Sequence, residues 1–241
     1  MNENTASTEE MGTAAAKQRT TSKAAEKARR RFLRFFPKGF RDETYIAWER
    51  GYKWRAHERW NELLPRDEFR RLVRDGEFAE IGARALKSLS GTNLLFSFEN
   101  MALRDALKTD RGARTFSEGL YEFLHGRASL PQRFDEWCGV VASLPKKQSR
   151  VLTHPVVTVF GFLAQPETHI FFKPTATRAA AERYGFDLHY QSRPSWETYL
   201  HVLEFASVVA SDLRGLRPRD MIDIQSFIWA TGSAEYDAMA K

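Results

Sequence analysis

DETYIAWERGYKWRAHERWNELL, residues 42–64, is the stretch that decides the fold. An α-helix through it, at 100° per residue, gathers six apolar side chains within about 120° of arc. They are Tyr45, Trp48, Tyr52, Ala56, Trp60 and Leu63. A stripe this broad is typical of a helix that packs on a core. Similar stripes recur towards the C-terminus, so the pattern predicts a mainly α protein.

Outward from this helix, the same periodicity and its turn residues predict further helices. Their ranges are 67–74, 77–88, 92–108, 112–125, 131–143, 175–184, 195–214 and 218–231. Residues 151–173 are ambiguous, because their Val and Phe content favours strands while the spacing after Pro155 suits a buried helix. We expect a helix at 154–164 and an extended piece at 168–172, with a hairpin around 165–167 as the alternative. The prediction is a single multi-helix globular domain.

Composition sets broad limits on the protein class. The 241 residues are enough for a full core, and no apolar run approaches the roughly 18 residues of a membrane span. The N-terminus lacks the apolar segment of a signal peptide, and the single cysteine, Cys138, cannot form an intrachain disulfide. The expectation is a cytoplasmic protein without a membrane span.

The net charge of +6 is unevenly distributed. Residues 1–34 hold eight bases and four acids, a net charge of +4, whereas the remaining 207 residues hold 29 bases and 27 acids. Residues 1–21 are small and polar, which predicts a disordered basic arm, and 22–241 is predicted to form the single helical domain. A nearly neutral body argues against a domain devoted wholly to phosphate binding.

Two groups of arginines are candidates for contact with nucleic acid or an acidic partner. The first group is in the basic run that precedes Pro37, and the second is on the 42–64 helix. They are Arg29, Arg30, Arg31 and Arg34, then Arg50, Arg55 and Arg59. The alternative for the first group is a solvated helix face, with the neighbouring phenylalanines fastening it to the body.

Four polar residues interrupt or flank apolar faces and are weak catalytic candidates: Glu49, His57, Asp105 and Asp223. Asp105 projects between Leu94 and Phe98 on the 92–108 helix, which we expect to be central and covered on two sides. A carboxylate buried there needs a cation, for which His57 and Lys173 are candidates.

Glu49, Lys53 and His57 follow at four-residue steps, so they either line a polar pocket or form a plain surface ladder. Asp220 and Asp223 fall in the first turn of the last long helix, where carboxylates also accept free amides.

Local catalytic motifs are missing from the sequence. It has no phosphate-binding Gly-Lys-Ser/Thr loop, no Gly-x-Ser-x-Gly elbow and no His-Glu-x-x-His. Cys138 follows Trp137 in an apolar helical pattern, which favours packing over nucleophilic chemistry. We expect no cofactor and no metal site, because the histidines show no ligand spacing.

Four stretches together resemble a family of uncharacterised bacterial proteins of similar length. They are YKWRAHERW at 52–60, TNLLFSFENMALRDAL at 92–107, HIFFKPTATRAAAERYGFDLHY at 169–190 and DMIDIQSFIW at 220–229. The resemblance implies a bacterial source and one domain after the arm. It implies no activity, cofactor or site residue.

Two functional hypotheses follow. The first is a non-enzymatic binding protein that contacts nucleic acid or an acidic partner through its basic N-terminal arm and the arginines of the 42–64 helix. The second is an enzyme, a hydrolase or a nucleic-acid-processing activity, whose pocket is assembled from Glu49, His57, Asp105 and Asp223. Convergence of these four side chains in a cleft would favour the enzyme, and one basic surface would favour the binding protein.

Overall fold

The computed structural model describes residues 23–147 and 150–239, and the predicted disordered arm, 1–21, lies outside them. Twelve helices are labelled in chain order. They are α1 (23–35), α2 (43–63), α3 (Arg66–Arg74), α4 (Phe78–Ser88), α5 (Ser97–Leu107), α6 (Asp110–His125), α7 (Leu130–Ser143), α8 (His154–Ala164), α9 (Pro174–Tyr184), α10 (Trp196–Asp212), α11 (Met221–Gly232) and α12 (Ala234–Met239). The described residues contain no strand. The prediction of a mainly α globular domain is confirmed.

Helix α2 contains a π-helical turn at Ile46–Arg50 between its two α-helical parts. This turn adds a residue to the helical repeat and shifts the face that points inward. Tyr45, Ala56 and Trp60 are buried as predicted, but Trp48 is 51% exposed. The predicted stripe is therefore wrong at Trp48, because a uniform 100° step does not hold across the π turn.

The central helix is α8, whose residues from His154 to Leu163 are all buried. Thr153 accepts the N–H of Val156 at its start and Pro155 occupies the first turn, where a missing N–H costs nothing. Helix α8 contacts α2, α6 and α7. The prediction of a helix at 154–164 is confirmed.

The predicted central helix at 92–108 is shorter and more exposed than expected. Helix α5 begins only at Ser97, since the backbone N–H of Phe96 donates to the Glu99 carboxylate at 2.9 Å. Leu94 and Leu95 are buried in the preceding loop, while Phe98 lies on the surface.

No hairpin forms around 165–167, because the N–H groups of Thr168 and His169 both donate to the Gln165 carbonyl in a turn. The residues that follow, 169–173, are neither helical nor paired with a strand. Tyr199 accepts the Ile170 N–H at 3.0 Å, and Thr158 accepts the Phe172 N–H at 3.1 Å. Side chains of α8 and α10 thus supply the hydrogen bonds that a partner strand would otherwise make.

Within the described residues, no helix is both long and apolar enough to cross a membrane.

Candidate anion-binding groove

A groove of about 460 Å³ lies between α1, α9 and the end of α11. Five basic side chains line it, together with alanines, Tyr184 and Thr231. The basic residues are Lys27, Arg30, Arg31, Arg34 and Arg183. We call this feature the α1–α9 groove. Three of the four arginines predicted in the basic run, Arg30, Arg31 and Arg34, therefore line one depression.

Helix α1 presents these bases because its other face is apolar. Ala25, Ala28, Phe32 and Phe36 are buried at three- and four-residue steps, which places them on one side of the helix. The Phe32 ring contacts the Phe227 ring of α11 at a centroid distance of 5.1 Å. The aromatic residues thus fasten α1 to the body and leave the basic face beside α9.

Close packing of α9 on α11 shapes the opposite wall. A Cβ built on Gly232 would lie 2.0 Å from the Ala176 carbonyl oxygen, so any larger residue would push the two helices apart. This approach brings the Arg183 guanidinium to the Thr231 carbonyl, to which it donates a hydrogen bond. The guanidinium is thereby held at the rim of the groove.

Positive charge exceeds negative charge in the α1–α9 groove. Asp237 pairs with Arg31 at 2.5 Å and with Arg183 at 2.8 Å, and Glu26 pairs with Arg30 at 2.7 Å. Within the described chain, no carboxylate pairs with Lys27 or Arg34. The five cations are opposed by these two carboxylates and by Asp212, whose charge reaches Tyr184, so the groove keeps a surplus of positive charge.

Tyr184 adds a neutral polar group to this lining. The residue is buried, and its hydroxyl has no hydrogen-bond partner within the described residues. Burial and the negative charge of Asp212 raise the pKa of Tyr184, so the hydroxyl keeps its proton at neutral pH. Buried hydroxyls are usually satisfied, but this oxygen is closed to solvent, so it lies inside the wall of the groove and does not face a bound anion.

The remaining predicted arginines lie outside the groove. Arg29 and Arg55 are exposed, whereas Arg59 donates to the carbonyls of Ser88 and Ser90 at 3.2 and 2.6 Å. Arg59 thus joins α2 to the end of α4. None of these three residues lines the α1–α9 groove.

Arg50 belongs to the interior. It is 6% exposed and donates to Asp220 at 2.7 and 2.8 Å and to Asp223 at 2.9 Å. Burial alone would lower the pKa of Arg50, but hydrogen bonding to Asp220 and the charges of both carboxylates raise it. Its guanidinium is therefore neutralised by α11, which corrects the prediction of an outward-facing charge on α2.

Asp223 is fully buried at the centre of the same cluster. It accepts hydrogen bonds from the Tyr45 hydroxyl at 2.6 Å and from the backbone and side chain of Arg219. Burial would raise the pKa of Asp223, yet these donors and the Arg50 charge hold it below its usual value. Asp220 caps α11 by accepting the N–H groups of Ile222 and Asp223, as the first-turn alternative predicted.

Glu49 and Lys53 form a second buried pair one turn further along α2. The Lys53 ammonium, 1% exposed, donates to Glu49 at 2.9 Å and to the Ser226 hydroxyl at 2.8 Å, and the Tyr236 hydroxyl donates to Glu49 at 2.8 Å. The surface-ladder alternative is wrong for these two residues. We call the whole set, in which Arg219 is at the exposed edge, the interior network: Tyr45, Glu49, Arg50, Lys53, Arg219, Asp220, Asp223, Ser226 and Tyr236.

His57 and Asp105 stand apart from the interior network. The His57 Nδ1 lies 2.6 Å from the Leu163 carbonyl of α8, so this ring joins two helices. Asp105 is a surface residue that pairs with Lys108 at 2.8 Å, and this hydrogen bond lowers its pKa. The predicted buried pairing of Asp105 with His57 or Lys173 is wrong, because α5 turns this side of the helix outward. The four weak catalytic candidates do not meet in one cleft.

Sequence reasoning did not select Lys27, Arg183 or Tyr184 as site residues. Lys27 precedes Arg31 by four residues and Arg34 by seven, the spacing of one helical face, so this signal was available. Arg183 and Tyr184 reach the groove only through the packing of α9 on α11, which has no local signature.

Among the residues that the structure describes, no group of three or more His, Cys, Asp or Glu side chains is arranged to hold a metal ion. Comparison with known proteins found no matching family model, no matching curated protein and no matching solved structure.

Proposed function

We propose that this protein is a non-enzymatic binding protein that holds nucleic acid by its phosphates in the α1–α9 groove. The observation that carries the proposal is the surplus of positive charge in one depression, where neither Lys27 nor Arg34 pairs with a carboxylate of the described residues. Guanidinium groups bind phosphate through paired N–H donors.

The positions of the weak catalytic candidates favour binding over catalysis. Glu49 and Asp223 are each held by several donors in the interior, and Asp105 pairs on the surface. Groups committed to such bonds must give them up before they can act on a substrate. The polar pocket required by an enzyme is therefore less well supported than the basic groove.

The test is fluorescence anisotropy of labelled single-stranded RNA and DNA with the full chain across a salt series. The variant Lys27→Ala/Arg30→Ala/Arg34→Ala removes three groove cations. We expect it to weaken binding at least about tenfold at low salt and to reduce the slope of log K against log salt by about 2, since each phosphate contact on a single strand contributes about 0.7.

A matched control is Lys87→Ala/Arg104→Ala/Arg111→Ala, which removes one lysine and two arginines from exposed positions elsewhere. This control should bind almost as the parent does. An equal loss of affinity in the two triple variants would show that binding depends on the net charge of the protein and not on the groove. Displacement by an acidic peptide at the same charge concentration would instead assign the groove to a protein partner.

A further inference from the structure

Two exposed aromatic side chains lie parallel at the start of α5. The rings of Phe96 and Phe98 have centroids 5.6 Å apart and planes within 10°, and the side chains are 52% and 51% exposed. Phe98 stacks on no other aromatic ring within the described residues. Exposed apolar surface is unfavourable in water, so an ordered pair of this kind is typical of a contact site.

A lysine holds this pair against the body. The Lys173 ammonium lies 4.9 Å from the ring centroid of Phe96 and 4.9 Å from that of Trp229, and it donates to the Asn93 carbonyl at 3.0 Å. The cation is attracted to both ring faces and fixes the loop that carries Phe96. We call Phe96, Phe98 and Lys173 the aromatic platform.

The cavity beside the platform combines aromatic groups with one cation and one carboxylate. It measures about 480 Å³, and its lining includes Phe96, Phe98, Tyr190, Arg150 and Glu99. The Arg178 guanidinium lies 4.6 Å from the Tyr190 ring centroid. Aromatic faces with cations close to them suit single-stranded nucleic acid, because bases stack and phosphates pair with positive charge. An apolar peptide or a lipid surface has no need of this combination.

Helix α9 connects the platform to the α1–α9 groove. Pro174, at its first turn, lines the platform cavity, and Arg183, in its last turn, lines the groove. Nine residues separate them, about 14 Å along the axis and half a turn around it, so a strand that joins the two must cross the exposed side of α9. Arg178 is exposed midway along the same helix.

From these observations we infer that the platform is a base-stacking subsite for single-stranded nucleic acid whose phosphates follow α9 into the groove. This inference rests on the proposed function and specifies its ligand as a single strand with accessible bases. Sequence preference is weak in such a mode, since every base offers a stacking face.

The experiment compares two labelled strands of eight nucleotides, one of thymidines and one of abasic sites with the same number of phosphates. Both are titrated against the full-length parent and the Phe96→Leu/Phe98→Leu variant. Leucine keeps apolar bulk and the backbone N–H that donates to Glu99 but removes the ring faces. Trp48→Leu, at another half-exposed aromatic residue, is the control.

We expect the parent and the control to bind the thymidine strand about tenfold more tightly than the abasic strand. The double variant should lose this preference and bind the abasic strand unchanged. If the parent binds both strands equally, or if the preference survives the double substitution, the base-stacking subsite is ruled out. Either result would leave the proposed phosphate binding in the groove unaffected. If the parent binds neither strand, the proposed function fails and the subsite fails with it.

Discussion

The interior network and the α1–α9 groove are both built from charged side chains, but the charges are balanced in the network and unbalanced in the groove. In the interior, every charged side chain named here meets its counter-charge within 3 Å, as Arg50 does with Asp220 and Lys53 with Glu49. In the groove, five cations share two carboxylates and are open to solvent on one side.

The difference shows what burial demands. An unpaired charge inside the protein costs several kcal/mol, so interior charges occur as satisfied sets that fix how helices pack. At the surface, water screens the cations, and a surplus of charge can be kept for a ligand. The two regions should therefore respond in opposite ways to substitution.

The largest expected effect is in the interior, on Asp223. Asp223→Asn keeps the side-chain shape but removes the charge that faces Arg50 and Arg219. Loss of one partner from a buried ion pair should reduce the free energy of unfolding by about 3 to 5 kcal/mol. Urea denaturation monitored by circular dichroism measures this. Asp105→Asn is the control on the surface. A similar loss of unfolding free energy in this variant would show that burial does not determine the effect of removing a carboxylate charge.

The Lys53–Glu49 pair gives a second, slightly smaller effect. Lys53→Met leaves Glu49 buried without its cation and should cost about 3 kcal/mol. The double variant Lys53→Met/Glu49→Gln removes both charges and keeps an acceptor for the Tyr236 hydroxyl. Its stability, measured in the same denaturant series, should exceed that of Lys53→Met alone. The single variant Glu49→Gln completes the comparison. If the double variant loses as much unfolding free energy as the two single variants together, the two charges act independently.

Acid should lower the stability of the protein through a buried histidine, His169. Burial lowers the pKa of His169 to about 4, against about 6.5 in the unfolded chain. Its contribution to stability is therefore complete above pH 6.5 and is lost as the pH falls from 6.5 towards 4, amounting to about 2 to 3 kcal/mol.

Denaturant midpoints measured at pH 7, 6, 5 and 4 test this prediction. His169→Phe keeps a ring against Gly161 and removes the titrating group, so its stability should fall less steeply over that range. The pKa of His125 is lowered to about 4 and that of His154 is also lowered by burial, so part of the slope should remain. An unchanged slope in His169→Phe would rule out this histidine as a source of acid sensitivity.

The helical fold was largely predictable because its signals are local. Apolar spacing, the Ser195 cap and Pro155 in the first turn each mark a helix without reference to the rest of the chain. The π turn in α2 and the late start of α5 were not predictable, since both depend on hydrogen bonds that interrupt a regular repeat.

The candidate site was predictable only in part. The basic face of α1 follows from spacing in the sequence, and it supplies four of the five groove bases. Arg183 and Tyr184 lie about 150 residues further along the chain and reach the groove through tertiary packing. The burial of Arg50 could not be predicted for the same reason. The carboxylates that neutralise it belong to α11, and no local sequence pattern indicates that they meet it.

The smallest expected effect on stability is in the groove itself. Lys27→Ala/Arg34→Ala removes two exposed bases without described ion pairs, so the free energy of unfolding should stay within about 0.5 kcal/mol of the parent. Removal of two like charges from a cationic cluster also relieves repulsion, which favours a small gain over a loss. Arg50→Ala, assayed beside it by urea denaturation, should instead lose about 3 kcal/mol or more, since Asp223 is left with one charged partner fewer. A groove variant as unstable as Arg50→Ala would mean that these bases hold α1 in place, and a loss of binding in it could then no longer be assigned to phosphate contact.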